Sequence, residues 1–171
     1  ALKDYKGAIA DYNAALKINP QYPAALNNRG IIKRIQGDLP GAIADYNAAL
    51  KINPKYINAF VGRGNAKYSQ QDYDGAIADY NEAIKINPKY ASAYSGRGYA
   101  KWRKSDLVGA SRDFDQALSI DSQSFDALIG RGNVRYDQRS YLNAIADYTE
   151  AIKVNSTSAT AHVSKCAVTA C

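Results

Sequence analysis

Side chains able to do chemistry fall into two groups in this sequence, one clustered at a single place and one recurring along the chain. The cluster is His162, Cys166 and Cys171. His162 is the only histidine among 171 residues, and Cys166, four residues on, would share its face of a helix. Any nucleophile–base pair or metal site built on histidine would have to sit there. A closed zinc site takes four ligands from well-spaced elements, which two or three ligands on one terminal helix do not supply. No metal and no cofactor are therefore assigned. The cysteines read as free thiols, which favours a reducing, cytoplasmic compartment. No phosphate-binding loop or dinucleotide fingerprint is present. The carboxylates recur at intervals instead of converging as an acid–base pair, so catalysis is not indicated.

The recurring group is ionic. Arg29, Arg63, Arg97 and Arg131 stand 34 residues apart, each followed four residues later by Lys33, Lys67, Lys101 or Arg135. Asp11, Asp45, Asp79, Asp113 and Asp147 share that period. One reading is an Arg–Asp ladder inside the structure, since an unpaired buried arginine is strongly unfavourable. The other is a basic stripe aimed at phosphates, which requires the guanidinium heads in open solvent. A net charge of +6 and pI near 9.2 are compatible with nucleic acid without requiring it.

What must position these side chains is a repeated fourteen-residue segment. Residues 7–20 read GAIADYNAALKINP and return unchanged at 41–54; 75–88 differs only at Glu82 and Ile84, and 109–122 and 143–156 are looser copies. Within 41–54 the apolar residues Ala42, Ile43, Tyr46, Ala49 and Leu50 form one stripe of a helix. Asp4, Asp38, Asp72 and Asp106, with Ser140 in the last copy, are placed as N-caps. Asn-Pro closes the first three copies, because proline pushes the residue before it out of helical geometry. Asp121-Ser122 and Asn155-Ser156 lack the proline and should turn more softly. Another helix precedes each copy, as over 57–70. Gly30, Gly64, Gly98 and Gly132 recur inside these first helices, where glycine costs about 1 kcal/mol relative to alanine. Close approach to Ala42, Ala76, Ala110 and Ala144 of the second helix is the expected compensation. A fixed period of this length signals stacked repeats, each contacting mainly its neighbours.

The period, the Gly–Ala pair, the aromatic at Tyr46, Tyr80, Phe114 and Tyr148, the alanine at Ala49, Ala83, Ala117 and Ala151, and the closing proline resemble the tetratricopeptide repeat. The resemblance implies an all-α fold, a right-handed α-solenoid of antiparallel helix pairs. It divides the chain into a partial repeat at 1–20, full repeats at 23–56, 57–90, 91–124 and 125–158, and a first helix of a further repeat or cap at 159–171, all as one solenoid. The ends, lacking a polar cap, are expected to meet further repeats or to self-associate. The arginines depart from the pattern, standing where the family usually has leucine.

In such arrays the first helices line a concave groove. By that resemblance the groove here carries Asn27, Asn28, Arg34, Asn65, Tyr68, Tyr99, Trp102, Arg103, Asn133 and Tyr136, with Gly62, Gly96 and Gly130 keeping its floor low. Tyr68, Trp102 and Tyr136 are expected to form an aromatic row, with asparagine amides bridging the backbone of an extended segment. The lysines and arginine with which chaperone-binding members hold a terminal carboxylate are missing from the corresponding positions, which include Asn28, Val61, Gly62, Asn65 and Gly96. The expected function is a non-catalytic scaffold for a protein or peptide partner. The alternative is an RNA-binding helical-repeat protein, suggested by Arg34, Arg103, Tyr68 and Trp102. The 34-residue period and the acidic Asp126 and Asp137 count against it, so nucleic acid is disfavoured as a partner. No apolar run reaches the ~18 residues of a membrane span.

Overall fold

The computed structural model describes residues 4–169; Cys171, Ala1 and the other terminal residues of the 1–20 and 159–171 segments lie outside them. Among the described residues there are ten α-helices and no strand. They are α1 (Tyr5–Ile18), α2 (Pro23–Ile35), α3 (Leu39–Ile52), α4 (Ile57–Ser69), α5 (Tyr73–Ile86), α6 (Ala91–Arg103), α7 (Leu107–Ile120), α8 (Phe125–Asp137), α9 (Tyr141–Val154) and α10 (Ala159–Thr169). The chain divides into two compact units, Ala1–Asn87 and Pro88–Cys171.

In the first unit, α2 pairs with α3 and α4 with α5, while α1 packs on α2 and α4 bridges to α2 and α3. The second unit repeats this with α6/α7 and α8/α9, closed by α10 against α9 and α8. Even-numbered helices therefore neighbour one another within each unit, and odd-numbered helices lie behind them.

Local chemistry sets the turns. Asp4, Asp38, Asp72 and Asp106 each accept a hydrogen bond from the amide of the glycine three residues on, at 2.8–2.9 Å, satisfying an orphan donor of the helix start. Ser140 does not make this bond: its hydroxyl instead accepts from the Asn143 side-chain amide at 2.9 Å, Asn143 standing where the other copies have glycine. Inside each pair the first helix ends in a Schellman motif, with Asp38 N–H donating to Lys33 O and Gly37 N–H to Arg34 O. The residue between them is left-handed. Gly37 (φ 86°) adopts that shape without strain, whereas Gln71, Ser105 and Arg139 hold φ of 60–65° with side chains. The turns leaving the second helices are Asx turns with or without proline: Asn53 Oδ1 accepts from Lys55 N at 3.0 Å and Asp121 Oδ1 from Gln123 N at 3.1 Å.

The core of each unit is built around buried aromatic rings. Tyr46, Tyr80 and Phe114 are at most 1% exposed. The first-helix glycines answer to these rings more than to the alanines the sequence suggested. A Cβ at Gly30 would lie 2.9 Å from Tyr46 Cε1, against 3.2 Å from the Ala42 carbonyl oxygen, and Gly64, Gly98 and Gly132 face Tyr80, Phe114 and Tyr148 in the same way. The groove-floor role expected of Gly62 and Gly130 is also corrected. Both are buried, and a Cβ at Gly62 would lie 2.5 Å from Tyr46 Cε1, while one at Gly130 would meet the Phe114 ring. Tyr46 and Phe114 are thus each held between two glycines, one from their own repeat and one from the next.

Gly130→Ala is therefore expected to destabilise the protein by about 1–3 kcal/mol through overpacking, although alanine is the better helix former by about 1 kcal/mol. Urea unfolding of the variant against the wild type reads the sign.

Candidate functional site

The ionic network must be placed first, because it decides which charges remain for a ligand. Arg29 donates from Nε to Asp45 Oδ2 at 2.8 Å and from Nη2 to Oδ1 at 2.5 Å. Arg63 grips Asp79, Arg97 grips Asp113 and Arg131 grips Asp147 in the same fork, the bidentate geometry that makes an arginine–carboxylate pair strong. Lys33, Lys67, Lys101 and Arg135 reach the second oxygen of the same carboxylates at 2.6–2.9 Å. The aspartates are at most 4% exposed. The third arm of three arginines reaches back one repeat: Arg29 to Asn13 Oδ1, Arg63 to Asn47 Oδ1 and Arg131 to Asp115 Oδ1, at 2.6–2.8 Å. Each of these guanidiniums ties three helices together.

The ladder reading is thus the one the structure adopts, and the stripe of open guanidiniums is not. The exception is Asp11, which is exposed on α1, with no arginine-bearing helix before it among the described residues. The hydrogen bond to Asp45 raises the Arg29 pKa despite opposing burial. For Arg131 burial pulls downward, but bonds to Asp147 and Asp115 prevail and the pKa is raised.

The expected groove residues lie on the even-numbered helices. In the first unit Asn27 is buried, 3% exposed, instead of open to a ligand, and its Nδ2 donates to Asn28 Oδ1 at 3.2 Å. Asn28, Arg34, Asn65 and Tyr68 are half-buried. Tyr68 meets Tyr73 edge-on at 5.5 Å. In the second unit Tyr99 and Trp102 are half-buried, Arg103 is exposed and Tyr136 is 37% exposed. Tyr99 packs edge-on against both Trp102 at 6.3 Å and Phe114 at 5.0 Å, and its hydroxyl donates to the Asp126 carbonyl at 2.8 Å. Trp102 Nε1 donates to Asp137 Oδ2 at 2.6 Å. Tyr136 lies against Tyr141 at 5.6 Å.

The asparagines are each engaged at one end of their amides. Asn65 Oδ1 accepts from the Tyr80 hydroxyl at 2.7 Å and Asn133 Oδ1 from the Tyr148 hydroxyl at 2.9 Å. Each Oδ1 retains a second lone pair beside the free Nδ2 donors. Burial is the main cause that lifts both phenols. Tyr148, with Asp137 and Asp147 adding to it, is pushed up to about 12, and Tyr80, where Arg34 partly offsets the rise, moves well above its ordinary value. Sequence reasoning missed these tyrosine hydroxyls and the Asp137 anchor. A signal existed, because asparagine stands fifteen residues before the aromatic only where that aromatic is Tyr80 or Tyr148, and Tyr99 takes its place before Phe114.

His162 Nε2 lies 3.1 Å from the Ser156 carbonyl oxygen and Cys166 is exposed. Among the described residues no three His, Cys, Asp or Glu side chains converge to hold a metal, and no helix is long and apolar enough to cross a membrane.

A family model described as TPR repeat matches residues 1–33, 30–69 and 64–105. The chain belongs to the TPR family. A thermophilic TPR protein of Thermus thermophilus is similar in structure at a TM-score of 0.87 and 19% identity, covering 100% of this chain and 93% of its own. Pseudomonas aeruginosa pilF is similar at 0.84 and 16% identity, over 98% of this chain and 76% of its own. The Arabidopsis OM64 TPR domain is similar at 0.64 and 28% identity, over 67% of this chain and 94% of its own. No curated protein matches the sequence. The TPR fold is a general protein–protein interaction scaffold, and TPR repeat proteins are generally non-catalytic.

Two outcomes test the network. Asp79→Ala leaves Arg63 and Lys67 without their carboxylate and should cost about 3–5 kcal/mol in urea unfolding, as for breaking a buried ion pair. The raised phenols act at alkaline pH. Folded Tyr148 keeps its proton up to about 12, while an unfolded tyrosine releases it near ~10, so stability should fall as pH rises between those values. Tyr148→Phe should flatten that slope in thermal unfolding measured from pH 9 to 12.

Proposed function

We propose that the protein is a non-catalytic docking scaffold whose even-numbered helices receive an extended peptide or a partner protein's element. The repeats 23–56, 57–90, 91–124 and 125–158 are its units. The observation that carries this reading is the fixing of Trp102. Its indole is half-buried, held by the 2.6 Å bond to Asp137 and braced edge-on by Tyr99, so an amphipathic ring stands part-open with little conformational freedom left to lose. Rigid aromatics of this kind supply contact area at low entropic cost and often carry a large share of binding energy. Tyr136, exposed on the next even-numbered helix, and the Asn133 side chain complete the recognition elements of this unit.

The charge distribution favours a protein partner over RNA. Eight cationic side chains, Arg29, Lys33, Arg63, Lys67, Arg97, Lys101, Arg131 and Arg135, are bound to the ladder aspartates, out of 22 in the chain. A phosphate backbone needs free cations along its track. Ile18 on α1 and Val163 on α10, 86% and 67% exposed, give the terminal helices apolar surface through which further repeats or a second copy could dock.

Selection from a displayed library of twelve-residue peptides should yield binders that shift Trp102 fluorescence. Trp102→Ala and Tyr136→Ala should each weaken them by about 2 kcal/mol if the rings are hot spots, with thermal unfolding confirming that the variants fold. Selected peptides that leave Trp102 emission unchanged and bind both variants as tightly would refute the groove as the docking surface.

A further inference from the structure

On α7 the second-helix pattern breaks on one side. Ser111 stands where the other copies carry Ile43, Ile77 and Ile145, and Arg112 where they carry Ala44, Ala78 and Ala146. Those isoleucines are half-buried. Ile43 packs against the core around Tyr46, and Ile145 against the core around Tyr148. A serine in this place leaves most of the isoleucine volume unfilled. A cavity of about 510 Å³ opens there, lined by Val108, Ser111, Arg112, Asp115 and Gln116 of α7 and by Gln138 at the end of α8. It lies wholly within the second unit.

The lining combines apolar surface with polar groups that have no partner. Val108 is 67% exposed. Among the described residues the Arg112 guanidinium, the Ser111 hydroxyl and the side-chain amides of Gln116 and Gln138 make no hydrogen bond or ion pair. Asp115 is the one carboxylate in the lining, and Arg131 Nη1 holds it at 2.8 Å. Its charge is thus matched, and Arg112 is the local excess. One free guanidinium complements a single negative charge in the planar, two-oxygen form of a carboxylate. A phosphate monoester, which carries more than one charge, would stand partly uncompensated beside Asp115. Each glutamine amide offers both a donor and an acceptor, the pair that a peptide backbone requires.

We propose that this notch is a second docking site, on α7 of the repeat at 91–124, for a partner peptide segment that sets an apolar side chain beside a carboxylate. The apolar side chain fills the space of the missing isoleucine against Val108, and the carboxylate pairs with Arg112. Gln116 and Gln138 hold the backbone of the segment. The site shares no residue with the groove on the even-numbered helices, and stands or falls apart from it.

Ser111→Ile and Arg112→Ala each return α7 to the residue of its neighbouring copies, so both variants should fold. Ser111→Ile should raise the thermal unfolding midpoint by filling the notch; a lower midpoint would mean that the space is absent and would overturn the site. Twelve-residue peptides are selected from a displayed library on the chain carrying Trp102→Ala and Tyr136→Ala, with counter-selection on the same chain carrying Ser111→Ile as well. Enriched peptides should set an aspartate or glutamate beside an aliphatic or aromatic residue. They should bind Arg112→Ala and Ser111→Ile about tenfold more weakly, and bind equally well once Trp102 and Tyr136 are restored. An empty selection, or peptides that bind Arg112→Ala undiminished, overturns the site. Displacement of the peptides by inorganic phosphate, but not by acetate at the same ionic strength, would assign the notch to a phosphoryl group and overturn the carboxylate reading. Failure on any of these counts leaves the groove reading to its own test through Trp102 fluorescence.

Discussion

The structure depends on finding room for one aromatic ring per repeat. A Tyr or Phe on each second helix is too large to lie between helices that all carry side chains at the contact. The chain answers with glycine in the middle of the first helices, a placement that costs helix stability and is offset by burial of the ring. Because Tyr46 and Phe114 each touch a glycine of their own repeat and one of the next, a single ring fixes both the pairing inside a repeat and the step to its successor. Nearest-neighbour coupling of this kind lets a line of small units behave as a folded protein.

The ladder does a second job at the other edge of the same contact. Each buried aspartate collects two cations from the first helix of its repeat, and three of the arginines extend to the preceding second helix. Burying such charges is costly unless every lone pair is used, and here they nearly are. The arrangement specifies register: a first helix rotated by one residue would leave four donors facing apolar surface. It also removes basic charge from the exterior, so the net charge overstates the cations available to a partner.

Much of this is legible in the sequence, for reasons particular residues make plain. Helix stripes, aspartate caps and the Arg–Asp pairing repeat with one period, and a pair of side chains that recurs at a constant offset points to contact. Sequence spacing assigns the glycines to alanine neighbours because it shows which helices meet but not which atoms lie nearest. It places Asn27 in the groove because a helical wheel gives a direction without depth. Nor does it show that Tyr80 and Tyr148, with hydroxyls at the tips of long side chains, bond to Asn65 and Asn133. Ser140 shows the same limit in miniature, since it stands at the expected cap position while its hydroxyl finds a nearer partner in Asn143.

Internal repetition also separates what packs from what recognises, without any second sequence. Positions held by the ring and the ladder barely vary: the aspartate is constant, the arginine is constant, and the aromatic is Tyr or Phe. On the even-numbered helices three positions change at nearly every turn of the period. They read Asn27, Val61, Ser95 and Ile129; Ile31, Asn65, Tyr99 and Asn133; and Arg34, Tyr68, Trp102 and Tyr136. Variation alone does not mark open surface, because the first of these positions is buried at Asn27, Ser95 and Ile129. Part of the variation is still internal accounting, as Asn65 and Asn133 match tyrosines and Tyr99 matches Phe114. Tyr136 meets Tyr141 as Tyr68 meets Tyr73, which leaves Arg34 in one unit and Trp102 in the other without a counterpart contact at the equivalent place. Four copies of one scaffold thereby present different chemistry at equivalent places, which is what reading an irregular partner with a regular structure requires.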